Sequence, residues 1–180
     1  MAENENAQQM PNLNEQIKIR REKLATMQAE GKDPFQITKY DVTYHSADAK
    51  EAFEALDAKL KSTIDANLDE EAFAAKLAEL HEGERINVSV AGRMLLKRVM
   101  GKASFATLSD LKGNIQVYVT RDSLGVDDYT AFKKSDIGDI YGAKGYLFRT
   151  RTGEISIHAE EMTLLSKSLQ GSTTVLQIQI

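Results

Sequence analysis

The stretch VAGRMLLKRVMGKASFATL, Val90 to Leu108, sets Arg93, Lys97, Arg98 and Lys102 among apolar residues and follows them with Phe105. Cations of this kind meet phosphate oxygens, and an exposed aromatic ring is a platform on which a base can stack, a contact that contributes about 1–3 kcal/mol per base. Further on, Gln116 offers an amide that both donates and accepts, whereas Arg93 donates in a fixed fork. Uracil presents carbonyl acceptors on either side of one N–H, so this pair is chemically suited to it. Spacing alone leaves a second arrangement equally open, with Phe105 inside a core and Arg93 in a surface ion pair.

Other chemistry is poorly supplied. The chain contains no cysteine, which excludes disulfides, thiol nucleophiles and thiolate metal sites. Its three histidines, His45, His81 and His158, are far apart in sequence and read as structural or solvent-exposed. GAKG lacks the spacing of a P-loop or a dinucleotide turn. NVS from Asn87 matches a glycosylation sequon by chance in a chain with no signal peptide, and no serine can be assigned a paired base.

The net charge of −4 is unevenly spread. Ser46–Arg85 holds 11 acidic and 5 basic residues, a net of −6, whereas Ile86–Gln170 holds 9 acidic and 12 basic, a net of +3. Local charge decides which face attracts phosphate, so an acidic chain total does not exclude RNA.

The elements that must carry these residues follow from periodicity. Residues 1–12 are polar, without pattern, and expected to be disordered. Asn12 and Glu15 stand in capping-box register before a helix carrying Leu13, Ile17, Leu24 and Met27, which closes at Gly31. Lys18, Arg20, Arg21 and Lys23 crowd its middle, either as a solvated face or as phosphate contacts. A second helix is expected from an N-cap at Ser46, with Ala49, Phe53, Leu56 and Leu60 on one face. A third starts from Asn67 and Glu70 in capping-box register, with Phe73, Leu77 and Leu80. Both are acidic outside and read as packing or spacer elements.

From Ile86 the period changes to that of strands. INVSVAGRMLLKRVM, ASFATLSDL and NIQVYVTRD are separated by the turn signals MGK and KGN; a short helical insertion follows, and two more strands meet at TRTGE. Five strands with a helical element after the third fit a closed Greek-key barrel of the OB-fold type, preceded by about three helices. In that fold the face of strands two and three, flanked by the loops joining strands one to two and four to five, is where oligonucleotides lie. The resulting division is a helical extension over 13–85, an OB-fold over 86–170 and an atypical tail over 171–180.

VAGRMLLKRVMGKASFATLSDLKGNIQVYV, followed by DIGDIYGAKGYLFRTRTGEISIHAEEMTLLSKSL, closely resembles the N-terminal anticodon-binding domain of bacterial-type class II lysyl-tRNA synthetases, and EQIKIRREKLATMQAEGKDPF resembles the helix preceding it. The related aspartyl and asparaginyl enzymes share the barrel; TRTGEISIH tilts the choice to lysine. The resemblance implies that Phe105 stacks on the central anticodon uridine, that Arg93 and Gln116 hydrogen-bond it, and that Glu154 helps read a flanking base. It further implies phosphate contacts from Lys102, Arg20, Arg21 and Lys23, lysine tRNA as partner and a homodimer as in the full-length family. The polar first residues and the lack of an apolar run of membrane-spanning length lead to an expected cytoplasmic location without membrane association. ATP and magnesium are implied for the full-length enzyme and no cofactor for this chain. GSTTVLQIQI does not resemble the family's continuation into a catalytic domain, so the chain is expected to bind tRNA without catalysing aminoacylation alone. The competing functions are a protein-association module working through the acidic helices and an unspecific single-strand binder.

Overall fold

The computed structural model of the chain describes residues 12–170. The expected disordered start, apart from Asn12, and the expected atypical tail lie outside the described residues. Helix α1, Leu13–Ala29, begins with the full capping box: the Glu15 amide donates to Asn12 Oδ1 at 3.0 Å, and the Asn12 amide donates to Glu15 Oε2 at 3.0 Å. Its end passes through Gly31 at φ 72°, a conformation glycine adopts at little cost.

The next two helices start differently from the sequence expectation. Helix α2, Ser46–Thr63, has His45 at its N-cap with no side-chain cap bond. The free amide is satisfied from outside the helix, because Ser46 N and Ser46 Oγ donate to the two oxygens of Asp110 at 2.6 and 2.7 Å. Helix α3, Glu70–Gly83, is capped by Asp69, whose carboxylate accepts from the Ala72 amide at 2.8 Å, and not by Asn67. Asn67 instead bonds Asp65 in the preceding turn. In both cases a nearby aspartate outcompeted the residue with the expected spacing, since a carboxylate near a helix N-terminus also gains from the helix dipole.

Five strands, β1 (Asn87–Met100), β2 (Ala103–Asp110), β3 (Gly113–Thr120), β4 (Ile140–Arg149) and β5 (Ile155–Ser166), close into a barrel in the order β1-β2-β3-β5-β4. All neighbours run antiparallel except β3 and β5, which are parallel. This is the OB-fold arrangement the strand order led us to expect. Alternation along each strand fills the interior with Val90, Leu108, Val117, Ala143 and Ile157 among others, and leaves Phe105, Gln116 and Tyr118 facing outward. Ala49 and Phe53 of α2 join the same core, so the acidic helix plugs one end of the barrel. A Cβ at Gly145 would lie 1.9 Å from the His158 carbonyl oxygen, so glycine is what lets β4 approach β5 there.

The insertion after β3 is two short helices, α4 (Arg121–Leu124) and α5 (Val126–Lys133), parted by Gly125 at φ 87°. Tyr129 and Phe132 of α5 are buried against the barrel. Lys97 of β1 donates to the Lys133 and Ser135 carbonyls at the C-terminal end of α5, a favourable position for a cation.

Helix α1 contributes no buried residue, and its attachment is polar. Lys23 Nζ bonds Asp136 Oδ1 at 2.7 Å, and the fully buried Lys167 ammonium lies between Asp136 and Asp139. Burial raises the Asp136 carboxyl pKa, but the bonds and charges of Lys167 and Lys23 outweigh it and hold the group below the ordinary carboxylate range. A lowered folded pKa contributes stability above the unfolded value of about 4 and loses it as pH falls through the folded value. The thermal midpoint is therefore expected to drop below about pH 4. The drop should be shallower in Asp136→Asn, and identical acid profiles for the two proteins would contradict this assignment. Among the described residues no helix is long and apolar enough to cross a membrane.

Candidate nucleic-acid interface

The outward faces of β2 and β3 form the floor of an open groove of about 600 Å³, walled by the end of β1 on one side and by the turn after β4 on the other. Phe105 and Gln116 both line it, together with Tyr118 and Phe148. Cross-strand pairing explains the grouping: Phe105 is opposite Tyr118, and Thr107 is opposite Gln116. The Phe105 and Tyr118 rings lie 4.9 Å apart and tilted by 38°, which holds Phe105 against the sheet and limits its motion. Tyr118 in turn contacts Phe148 and His158, with ring centroids at 6.0 and 5.3 Å. Of the two arrangements open on spacing, the geometry is the one with Phe105 half-exposed on the outer face and not in the core.

Gln116 is oriented by β5. Ser156 Oγ donates to Gln116 Oε1 at 2.9 Å, which occupies the amide oxygen and leaves the amide nitrogen as a donor toward the groove. Leu96 and Met100, 55% and 47% exposed, give the β1 wall an apolar lip against which a base can lie.

Arg93 is not in the groove. It pairs with Ser109 in the register, four residues along β2 from Phe105, or about 13 Å at the usual strand rise, and its Nη1 donates to the Gly138 carbonyl at 2.8 Å. The arginine that does line the groove is Arg98, directly opposite Phe105. A bulge between Met94 and Leu96 brings Arg98 onto that face. The extra residue shifts the alternation by one, so Arg98 shares the outward face with Phe105, where strict counting from Arg93 puts it inside. Among the described residues the Arg98 guanidinium has no hydrogen bond or ion pair, and the same holds for Arg151 in the β4–β5 turn and for Lys102 in the β1–β2 turn.

The basic helix splits in the same way. Arg20 donates to the Ile137 and Ser168 carbonyls at 3.1 Å each, and Lys23 is held by Asp136 and the Lys134 carbonyl. These two cations fasten α1 to the barrel, whereas Arg21 is exposed and unpaired. None of the three lines the groove. Glu154 sits at the end of the β4–β5 turn, outside the groove lining, with Oε1 3.3 Å from the Lys50 ammonium.

Sequence reasoning therefore named Arg98 only as one cation of the basic stretch, and missed Arg151, Tyr118 and Phe148. Tyr118 was within reach, since it lies two residues from Gln116 on the same strand and so on the same face. His81 and His158 are packed structurally: His81 stacks on Phe53 at 5.0 Å and bonds Asp57 at 2.9 Å, and His158 stacks on Tyr146 at 5.0 Å. Burial lowers the His158 pKa, which favours the neutral ring at neutral pH. Among the described residues no three His, Asp or Glu side chains converge where a metal ion could sit.

Residues 88–165 match the tRNA anti-codon family, an OB-fold nucleic acid binding domain. The chain is similar to the lysine–tRNA ligase of Salmonella arizonae, 46% identical over 165 residues, which is 91% of this chain and 28% of that protein. It is also similar to the lysine–tRNA ligases of Chromobacterium violaceum, 57% identical over 97 residues (54% of this chain, 19% of that protein), and Dechloromonas aromatica, 57% identical over 100 residues (56% and 20%). The chain thus spans between about a fifth and somewhat more than a quarter of the length of these curated relatives.

Proposed function

We propose, from the premise that this chain is a homologue of lysine–tRNA ligases whose barrel belongs to the OB-fold nucleic acid binding family, that it binds lysine tRNA and reads its anticodon. The observation that carries the reading is the groove itself. Three half-buried aromatics, one amide oriented by Ser156 and two unpaired arginines, Arg98 and Arg151, line a space the size of a nucleotide or two, with Lys102 in the adjoining turn.

Phe105 takes the central base on its open face. Gln116 Nε2 and the Arg98 guanidinium both donate, so they suit the carbonyl oxygens of uracil. Cytosine turns an amino donor toward the same groups, and an unmatched buried donor costs about 1–3 kcal/mol. Lys102 and Arg151 neutralise flanking phosphates, contacts that position the strand without specifying its sequence. Glu154 reads a flanking base by exchanging its solvent-screened contact with Lys50 for a base edge. Binding and selection are what this segment supplies; ATP- and magnesium-dependent activation of lysine belongs to the ligase as a whole, and no step of it is assigned to the described residues.

The test is a titration with anticodon stem-loops carrying UUU and UCU, at one fixed salt concentration because phosphate contacts make affinity salt-dependent. The central-uridine loop is expected to bind about 5- to 150-fold more tightly, corresponding to one mismatched donor. Equal affinity for the two would refute base reading and leave backbone recognition only.

A further inference from the structure

The acidic helix α2 has carboxylates aimed at both ends of the groove-bearing sheet, and their partners lie in or beside its turns. At its start, Asp110, the last residue of β2, caps it, and Lys112 of the following turn bonds Asp48 at 2.8 Å. Further along, Glu54 and Asp57 meet Arg149, the last residue of β4, at 3.0 and 3.6 Å. Arg149 uses its other nitrogen, Nη1, to donate to the Gly153 carbonyl at 3.1 Å, and its guanidinium lies 5.4 Å over the ring of the buried Phe53. Asp57 itself is nearly buried and is bonded by Lys61 at 2.7 Å and His81 at 2.9 Å, which ties α3 into the same junction.

Gly153 closes the β4–β5 turn. The turn is internally ordered: Gly153 N donates to the Thr150 carbonyl at 2.9 Å, and Glu154 N donates to Thr150 Oγ1 at 3.0 Å. Thr150, Arg151 and Thr152 of that turn are the groove's second wall. The turn is thus folded by its own bonds and carried by the β4–β5 ladder, and its side-chain ties to α2 run through Arg149 and the exposed Lys50–Glu154 pair.

We infer that α2 is a positioning element for the recognition turn, and that Arg149 is the positioning residue that couples them, setting discrimination at the base flanking the stacked one. The inference rests on the reading of the groove as an anticodon site. Arg149 acts through its fork, one nitrogen on α2 and the other on the turn, and touches no nucleotide. A lysine cannot span the same two partners. The central base is read by Phe105, Gln116 and Arg98, none of which Arg149 bonds.

The test uses Arg149→Gln, Arg149→Lys and Glu54→Gln, the last altering only the far side of the fork. In protein without RNA, amide exchange at Gly153 and Glu154 is expected to quicken on the order of tenfold in both Arg149 variants and by less in Glu54→Gln, with exchange across β2 and β3 unchanged. Against UUU stem-loops altered at a flanking or the central base, the Arg149 variants are expected to lose several-fold of flanking discrimination and keep central discrimination, at an unaltered salt slope. Unchanged exchange at Gly153 and Glu154 in a folded Arg149→Gln would overturn the inference. Restoration of affinity by Arg149→Lys, with a shallower salt slope in Arg149→Gln, would also overturn it, making Arg149 a phosphate contact. A wild-type chain indifferent to the anticodon would refute the groove reading, while the exchange measurement would still decide the coupling.

Discussion

Phe105→Ala is expected to weaken binding of a UUU stem-loop between about fivefold and about 150-fold, the loss of one stacking platform at about 1–3 kcal/mol. The side chain faces outward and is half-exposed, so its removal takes little from the barrel interior. Tyr118, 4.9 Å away, keeps the other rings of the face in contact. The thermal midpoint should therefore change little while affinity falls. Phe105→Tyr, which keeps a flat ring, should recover most of the binding. A folded Phe105→Ala with full affinity would remove the stacking role.

Lys167→Met should instead cost stability. The ammonium is fully buried, 2.9 Å from an equally buried Asp139 carboxylate and 2.5 Å from Asp136. Breaking a buried pair from one side leaves uncompensated charge and typically costs about 3–5 kcal/mol, more than replacing the whole cluster by apolar groups would. Urea unfolding should show a lower midpoint at an unchanged slope. Because Asp136 also holds Lys23, and Arg20 bonds the neighbouring Ser168 carbonyl, attachment of α1 should weaken in the same variant. An unfolding free energy within about 0.5 kcal/mol of wild type, the scale of an ordinary surface substitution, would contradict the assignment.

These two residues also mark where the sequence could be read. Alternation across β2 and β3 is regular, so Phe105 and Gln116 share a face by counting alone, and the strand order with its insertion after β3 was enough to expect the barrel. The β1 bulge interrupts that regularity between Met94 and Leu96. No local composition marks it, and it is why counting from Arg93 does not place Arg98 on the face of Phe105. Helix α1 failed for another reason. Its cations could be counted, but whether they meet phosphate or the barrel depends on residues more than a hundred positions away, Ile137, Ser168 and Asp136. The helix starts at Ser46 and Glu70 show the same limit on a smaller scale, since the cap that won at Ser46 came from Asp110 on another element. The acidity of α2, read from the sequence as a spacer's solvated surface, is partly spent on Arg149 and Lys112.

The most direct measurement of the central claim is nuclear magnetic resonance mapping of the chain titrated with a UUU anticodon stem-loop. Shifts are expected at Phe105, Tyr118, the Gln116 side-chain amide, the Arg98 guanidinium and the turn from Thr150 to Glu154, with the outer faces of α2 and α3 unchanged. Shifts confined to α1 or to the acidic helices, with the groove silent, would contradict the account.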